Sequence, residues 1–446
     1  MLANLTERMH HFLNSKAASL LYTALACLSV SLSLHHYAIP VFILWIFFIL
    51  IMEKNFLCMF LPMTLLCGFA IRTSGESLVL LDHLWLIVPL LATLFLHFYI
   101  HGKRPQKGKM LWAQIAISAA LILGGLFTIS AKEYFKADAL YYVLVLGIGM
   151  IIFYLWFHND ICENPYFDNR EKLMECLWFL GVFCAYSILD QALRLFLFSG
   201  TPIGTYVWSN DICELMLFCI PAAFYYARKN YFQVFVGLFF YGVMAFTASI
   251  SAIVSGGALV VLCCIYLAVY RKDTRLFTLV LLSLVCLVAL AVFAVAVYKS
   301  GSFSALFAAE ENGRTALIAE AWRNFLSAPL FGVGIGAVGE VHSTFMTINW
   351  THNFIFQILG SMGVVGALAY GYQLLVRARL LFSKRDPFRM ACALSYFGLF
   401  AISMFQPGEF CPMPYATMAV LIFTVVEKCD NEGKTTKNIA ITQPPS

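Results

Sequence analysis

Apolar runs long enough to cross a lipid bilayer recur along the whole chain, and they constrain its fold more than any other feature. A hydrocarbon core of about 30 Å needs about 20 apolar residues in a helix, and short polar breaks separate most runs from the next. A chain that is 61% hydrophobic and 12% charged, with a mean hydropathy of +0.81, is too apolar for a water-soluble globule. The sequence therefore predicts an all-α, polytopic integral membrane protein.

The length rule also predicts how many helices cross the membrane, since about fourteen runs satisfy it. They are centred on residues 17–35, 38–52, 56–71, 79–100, 110–130, 139–157, 173–197, 211–227, 231–249, 253–270, 276–298, 353–376, 388–405 and 413–427. The second and third runs are short and could pair as one bent hairpin. We therefore expect about 12–14 transmembrane helices.

The distribution of positive charge predicts the orientation of these helices. With the N-terminus inside, 22 of the 29 Lys and Arg residues fall on the cytoplasmic side. The remaining seven are Arg72, Lys132, Lys136, Arg194, Lys299, Arg314 and Arg323. This bias follows the positive-inside rule and predicts a multi-pass cell-membrane protein with both termini in the cytoplasm. The net charge of +5 is then an orientation signal and gives no reason to expect a nucleic-acid partner.

Changes in loop length and polarity predict five parts along the chain. Residues 1–172 have short loops and are expected to form a transmembrane scaffold, and residues 173–298 form central transmembrane helices with a short outer loop at 199–214. A large extracytoplasmic loop at 299–352 precedes the C-terminal transmembrane helices at 353–429. The polar cytoplasmic tail at 430–446 is expected to be disordered.

The large outer loop contains an amphipathic segment, ENGRTALIAEAWRNFLSAP. Its apolar side chains recur at helical spacing, at Leu317, Ile318, Ala321, Trp322 and Phe325. This pattern predicts a helix that lies on the membrane surface and ends before the following proline.

Three glycines follow this helix at alternate positions, Gly332, Gly334 and Gly336, in the stretch PLFGVGIG. Glycine allows a tight turn or a close approach of the backbone to another group. The stretch has no Walker lysine and no strand before it, so we expect no nucleotide site.

A series of short motifs in this region resembles the signature of the bacterial O-antigen ligase and O-antigen polymerase superfamily. The motifs are Gly313-Arg314, Trp322, the stretch from Pro329 to Gly336, and His352-Asn353 at the start of a helix that contains Gln357, Gly363 and Gly366. Upstream, TYVWSNDICELM resembles the short outer loop of the family, in which Asn210 would open the next helix. The detailed resemblance covers about residues 245–375.

One position departs from the family pattern. The family often carries Ser-Arg-Gly in the span before the large loop, and this chain has Ser255, Gly256 and Gly257 there. Asp190 and Arg194 lie four residues apart on one helix face, where they can pair. Charges inside a membrane often line a cavity, so Arg194 is a candidate to replace the absent arginine. A structural ion pair between helices is an equally good interpretation.

The resemblance implies a metal-independent membrane glycosyltransferase that uses no cofactor. Its donor would be a polyprenyl-pyrophosphate-linked oligosaccharide or polysaccharide, and its acceptor a glycan or glycolipid at the outer face of the cytoplasmic membrane. Other polysaccharide assembly proteins are further candidate partners, beside the lipid bilayer. The choice between polymerase and ligase stays open, although the absent arginine slightly favours a polymerase or a divergent ligase.

His352 and Arg314 are the predicted catalytic residues. The departing pyrophosphate gains negative charge, which a guanidinium can meet with two parallel hydrogen bonds. A neutral imidazole can accept the proton of the attacking hydroxyl, which makes His352 the predicted general base. From position alone, His352 is more simply interpreted as an interfacial histidine at a helix start. The corresponding alternative for Arg314 is a snorkelling side chain.

The predicted substrate-binding residues are Arg194, Asp190, Asn210, Trp322, Gly332, Gly334 and Asn353. Trp322 could stack on a sugar ring, although aromatic residues at the outer interface are expected in any membrane protein. The alternative function is a multi-span polysaccharide transporter or flippase, or an assembly scaffold without catalysis. A transporter normally shows repeat symmetry or paired charges deep in its spans, and neither is evident in the sequence.

Overall fold

The computed structural model describes residues 2–72, 85–102, 107–128, 137–194, 197, 209–247, 249–271, 314–335, 351–406 and 408–442. Within these ranges every regular element is helical, which confirms the predicted all-α class. The first six helices are α1 Leu2–Leu13, α2 Lys16–Ser31, α3 His35–Met52, α4 Leu57–Arg72, α5 Ile87–His101 and α6 Leu111–Leu123. Helix α7 runs through Ala137–Tyr141, a π-helical stretch Tyr142–Gly149, and Met150–Asp160.

The second half of the chain adds eight more helices within the described ranges. They are α8 Asn169–Arg194, α9 Ser209–Ala227, α10 Phe232–Met244, α11 Ile250–Arg271, α12 Arg314–Ser327, α13 Phe354–Phe382, α14 Pro387–Ile402 and α15 Thr417–Thr442. Every predicted apolar run contains one of these helices except 276–298, which lies outside the described residues. Helix α15 continues beyond residue 430, where the polar tail begins.

Four of the described helices are long and apolar enough to cross a membrane. They cover Ala139–Asp160, Asn169–Arg194, Ile250–Arg271 and Phe354–Phe382. Seven shorter apolar helices accompany them, and their number confirms a polytopic architecture.

Helix α9 lies at the centre of the bundle and packs against α8, α10, α11 and α14. Its side chains from Ile212 to Phe224 are almost entirely buried. A β-carbon at Gly398 of α14 would lie 3.0 Å from the carbonyl oxygen of Leu217, so glycine permits this close helix contact. Residues 209–227 are therefore the core against which the later helices are arranged.

Helix α13 is sharply broken at Gly363, where φ is 61° and ψ is −152°. A straight helix would place Phe354 and Tyr370 about 24 Å apart, at about 1.5 Å per residue. Their ring centroids lie only 5.2 Å apart. A β-carbon at Gly366 would also meet Ile358 across the break. The helix therefore folds back on itself into a short arm, 354–362, and a long arm, 364–382.

The long arm also carries Arg377, which the distribution of charge assigns to the cytoplasmic side of the membrane. Its side chain is 2% exposed and forms an ion pair with Glu409. Tyr396 accepts a hydrogen bond from Arg377 at 2.6 Å and donates one to Glu409 at 2.9 Å. The ion pair lies inside the bundle because α13 extends to Phe382, past the predicted end of its span. This network connects the long arm to the chain segment that follows α14.

Candidate functional site

The backbone around the break in α13 is bound by residues 329–335, which we call the docking loop. A break leaves N–H and C=O groups without their helical partners, and buried groups of this kind need other partners. The docking loop supplies them through four hydrogen bonds. These run from Val333 to Gly360 (2.9 Å), from Gly334 to Ser361 (3.0 Å), from Val364 to Pro329 (2.8 Å) and from Val365 to Leu330 (3.1 Å).

Two of the three alternate glycines make this docking sterically feasible. Gly332 and Gly334 have φ values of 64° and 86°, which side chains rarely adopt. A β-carbon at Gly332 would lie 2.4 Å from the carbonyl carbon of Ser361. The predicted close backbone approach is confirmed for these two glycines, whereas Gly336 lies outside the described residues. Their contacts are with the broken helix, so their assignment to substrate binding stays a prediction.

Helix α12 precedes the docking loop and packs against α13. Its observed range, Arg314–Ser327, confirms the predicted amphipathic helix and its end before Pro329. Ala321 is buried against Gly360, while Trp322 is 44% exposed and makes an edge contact with Phe356 at 6.3 Å between ring centroids. Trp322 therefore contacts α13, while a large part of its side chain stays accessible.

The short arm begins at a tight turn, residues 351–353, which we call the histidine turn. Asn353 caps the helix, because its side-chain oxygen accepts the N–H groups of Ile355 at 3.0 Å and Phe356 at 3.2 Å. The N–H of Thr351 donates to Gln357 at 2.8 Å, which closes the turn onto the first helical residues. Asn353, and not His352, is therefore the residue that caps the helix.

His352 has an unusual backbone conformation with φ at 50°, in the left-handed region. Non-glycine residues adopt this region infrequently, and such strain is often found at functional sites. The ring is partly buried, and its Nδ1 lies 3.1 Å from Oε1 of Gln406, which follows α14. The turn therefore directs the imidazole away from its own helix and towards a second segment of the chain.

The pKa of the His352 imidazole lies below its ordinary value of 6.5. Burial is the larger cause, and the positive charge of Arg314 acts in the same direction. The hydrogen bond to Gln406 acts in the opposite direction. At neutral pH the ring is therefore uncharged, which is the protonation state that a general base requires.

Arg314 is the first residue of α12 and is partly buried. Its positive charge lowers the pKa of the His352 ring, so the two predicted catalytic residues lie within electrostatic range of each other. The guanidinium of Arg314 is thus a positive charge that acts on a neutral histidine.

The predicted ion pair on α8 is confirmed, with Nε of Arg194 at 2.9 Å from Oδ2 of Asp190. Arg194 also donates to the backbone carbonyl of Ser31 in α2, so these contacts join α8 to α2. At the position of the family's absent arginine, a β-carbon on Gly256 would lie 3.0 Å from the ring of Tyr241. That aromatic ring occupies the space that a longer side chain would need. The replacement of the absent arginine by Arg194 stays a prediction.

Asn210 is in the first turn of α9, where its side-chain oxygen accepts a hydrogen bond from Ser249. This contact joins the start of α9 to the residue preceding α11. Most of the loop before Asn210, together with residues 299–313 and 336–350 of the large loop, lies outside the described residues.

Gln406 is the residue at this site that the sequence analysis missed. It is 4% exposed and lies in the short FQPGEF segment between two apolar runs. It is separated from His352 by all of α13 and α14, and no spacing rule connects positions so far apart. Its polarity next to the end of a predicted span was the one available signal.

The fold and this site define a polytopic all-α membrane protein in which a neutral histidine, at the start of a broken helix, lies within electrostatic range of an arginine. The family model Wzy_C, described as O-antigen ligase, matches residues 221–371. The match confirms the resemblance to the O-antigen ligase and polymerase superfamily, and it includes Arg314, the docking loop and the histidine turn. Residues 221–371 are thus similar to the O-antigen ligase family, and they lie within a polytopic membrane protein. No curated protein matches the chain.

Proposed function

We propose that this protein is a glycosyltransferase that transfers or polymerises polyprenyl-pyrophosphate-linked glycan on the outer face of the cytoplasmic membrane. The observation that supports the proposal is that the matched stretch contains both a partly buried His352, in a left-handed turn that contacts Gln406, and an Arg314 whose charge acts on the His352 ring. A base and a cation at one site are the two groups that such a transfer needs.

In the proposed reaction, the acceptor hydroxyl oxygen attacks the anomeric carbon of the donor sugar. The bond between that carbon and the phosphate oxygen breaks, and the polyprenyl pyrophosphate departs with the bonding electron pair. Nε2 of His352 takes the hydroxyl proton. Arg314 stabilises the charge that develops on the leaving group.

The surrounding residues would orient the two substrates in this reaction. Trp322 has the exposed aromatic surface that a sugar ring can stack on. The contacts of Gly332, Gly334 and Asn353 support a more indirect role, because they fix the backbone that holds the site. Arg194 with Asp190, and Asn210, are proposed to contact more distant parts of the donor or acceptor.

The first test compares glycans from cells that carry the wild-type protein, His352→Ala, or no protein. We expect His352→Ala to reproduce the defect of the null cells. Accumulated single repeat units on lipid would indicate a polymerase, and accumulated long lipid-linked chains would indicate a ligase. Gel electrophoresis and mass spectrometry of the lipid-linked and surface fractions distinguish these outcomes.

A matched control is His11→Ala, which removes an exposed histidine on α1 that contacts Tyr166. Its glycan profile should equal that of the wild type at equal protein levels. Unchanged glycan in the null cells would overturn the proposed function. If the null cells are defective but His352→Ala is fully active, the proposed function stands and His352 is not the base.

A further inference from the structure

Gln406 contacts the proposed base from outside the stretch that the family model matches. Its Oε1 lies 3.1 Å from Nδ1 of His352, and the side chain is buried. We propose that Gln406 is a positioning residue that holds His352 in the tautomer with its hydrogen on Nδ1 and its lone pair on Nε2. This inference rests on the proposed function, because it specifies which nitrogen accepts the proton.

The chemistry of the contact determines the tautomer. In the observed orientation of the Gln406 amide its oxygen faces the ring and its buried Nε2 has no hydrogen-bond partner among the described residues. An amide oxygen can only accept a hydrogen bond, so in this orientation Nδ1 of His352 donates to it. A neutral imidazole carries one N–H, and Nε2 therefore keeps the free lone pair. The contact orients the ring as well as its proton, because a histidine fixed through one nitrogen presents the other in a defined direction.

The amide provides this orientation without adding charge. A carboxylate in its place would stabilise the protonated imidazolium and raise the pKa of His352. The neighbouring arginine, Arg314, acts in the opposite sense, by keeping the ring neutral. A glutamine is thus compatible with an electropositive site in which the histidine has to remain unprotonated.

Gln406 is itself held by the segment that follows α14. Its N–H donates to the carbonyl of Ile402 at 3.0 Å. Three residues later, Glu409 is fixed by the buried Arg377 and by Tyr396. The acid on this segment is therefore engaged in its own network, and the group that reaches the ring from this side is a neutral amide.

The same segment also binds the histidine turn directly. Asn353 Nδ2 donates to the carbonyl of Met404 at 3.1 Å, and the N–H of Phe354 donates to the carbonyl of Ser403 at 2.9 Å. The backbones that carry His352 and Gln406 are thus hydrogen-bonded to each other. This arrangement fixes the distance between the two side chains.

The test measures the pH dependence of glycan transfer by purified protein in lipid nanodiscs. The donor is the polyprenyl-pyrophosphate-linked glycan extracted from null cells, and the variants are Gln406→Glu and Gln406→Met. The rate falls as the pH falls through the pKa of His352, because protonation removes the base. Gln406→Glu should shift this acidic limb upward by about one pH unit or more, since an opposite charge stabilises the imidazolium.

Gln406→Met removes the acceptor and should shift the acidic limb in the opposite direction, because the hydrogen bond to Gln406 raises the pKa of His352. The turnover should also fall about tenfold or more, since the ring loses its fixed orientation. The matched control is Gln233→Glu, which alters a glutamine that accepts a hydrogen bond from Trp178 in another part of the bundle. Its acidic limb should coincide with that of the wild type.

Two results would separate this inference from the proposed function. If Gln406→Glu and Gln406→Met keep the wild-type limb while His352→Ala is inactive, the positioning role is overturned and the function stands. If the wild type transfers no glycan from this donor, the proposed function itself fails. Should both variants misfold, ¹⁵N-histidine labelling of the wild type, with His352→Asn to assign the signal, reports the tautomer. A hydrogen on Nε2 would overturn the inference.

Discussion

At the scale of single residues, the site depends on keeping one histidine neutral beside one arginine. The pKa of His352 is lowered first by burial and then by the charge of Arg314. In the proposed reaction the arginine would therefore have two consequences: it would attract an anionic leaving group and keep the base unprotonated. Both follow from one fixed positive charge.

Two variants distinguish the effect of the Arg314 charge from that of its guanidinium geometry: Arg314→Gln removes the charge, and Arg314→Lys keeps it. Loss of the charge raises the pKa of His352, so the acidic limb of the transfer rate should move to higher pH. Arg314→Lys should keep the limb near its wild-type position but raise the KM for the donor, because an ammonium lacks the two-pronged grip on phosphate. The pH–rate profiles of the purified variants measure both effects.

Arg323→Gln is the control for this prediction, because Arg323 lies on the same helix and is exposed. Its pH profile should not move. A limb that is the same in Arg314→Gln and the wild type would mean that the arginine does not act on the titrating base.

At the scale of elements, the break in α13 is the feature that assembles the site. The docking loop replaces the hydrogen bonds that the break removes, and the short arm then returns along the long arm. Gly363 permits this geometry: a β-carbon there would lie 2.5 Å from the carbonyl oxygen of Pro329, in a backbone conformation restricted to glycine.

Gly363→Ala should therefore destabilise the protein by about 2 kcal/mol or more, from backbone strain and the steric clash. Gly371→Ala, in the long arm of the same helix, should change the stability by no more than about 1 kcal/mol, since its β-carbon meets nothing within 4 Å. Thermal unfolding followed by size-exclusion chromatography compares the two. Equal melting temperatures for both variants would contradict the proposed role of the break.

The two arms also show where prediction from sequence ended. Hydropathy located α13, α14 and the amphipathic α12, because burial in lipid or at its surface requires apolar side chains in a helical pattern. It could not locate the break, since glycine is common in transmembrane helices and Gly363 has the same local signal as Gly366 and Gly371. The backbone hydrogen bonds that stabilise the break come from the docking loop, about thirty residues upstream.

The candidate site was predictable to a similar extent. The motifs that resemble one family allowed the selection of His352, Arg314 and Asn353. His352 contacts Gln406, and Asn353 caps the helix that follows it. Gln406 could not be selected, because a long-range contact between two helix ends leaves no periodic signal. The ion pair of Arg377 could not be predicted for the same reason, because its partner, Glu409, lies beyond α14.

At the scale of the whole molecule, the charge distribution predicts which ends of the helices face the cytoplasm. Arg323 on α12 is expected outside, and Arg385, between α13 and α14, is expected inside. Both side chains are exposed, so cysteines at these positions can report the orientation. The prediction concerns the arrangement of the chain in a bilayer and is independent of catalysis.

In a background free of native exposed thiols, Arg323→Cys should react with a membrane-impermeant thiol reagent applied to intact cells. Arg385→Cys should react only after the membrane is opened, and it serves as the matched control. The reverse pattern would invert the topology and place the proposed site on the cytoplasmic face.

The folded-back short arm has a consequence for the competition between hydrolysis and transfer. Nine helical residues at about 1.5 Å each carry the chain about 14 Å from the docked break to the histidine turn. His352 therefore lies alongside the long arm, well removed from the loop that binds the break. Water is the most abundant nucleophile available to an activated sugar. In the proposed reaction, a base at this position would favour an acceptor that can extend a sugar along the short arm. Hydrolysis of the lipid-linked donor by water would then be limited.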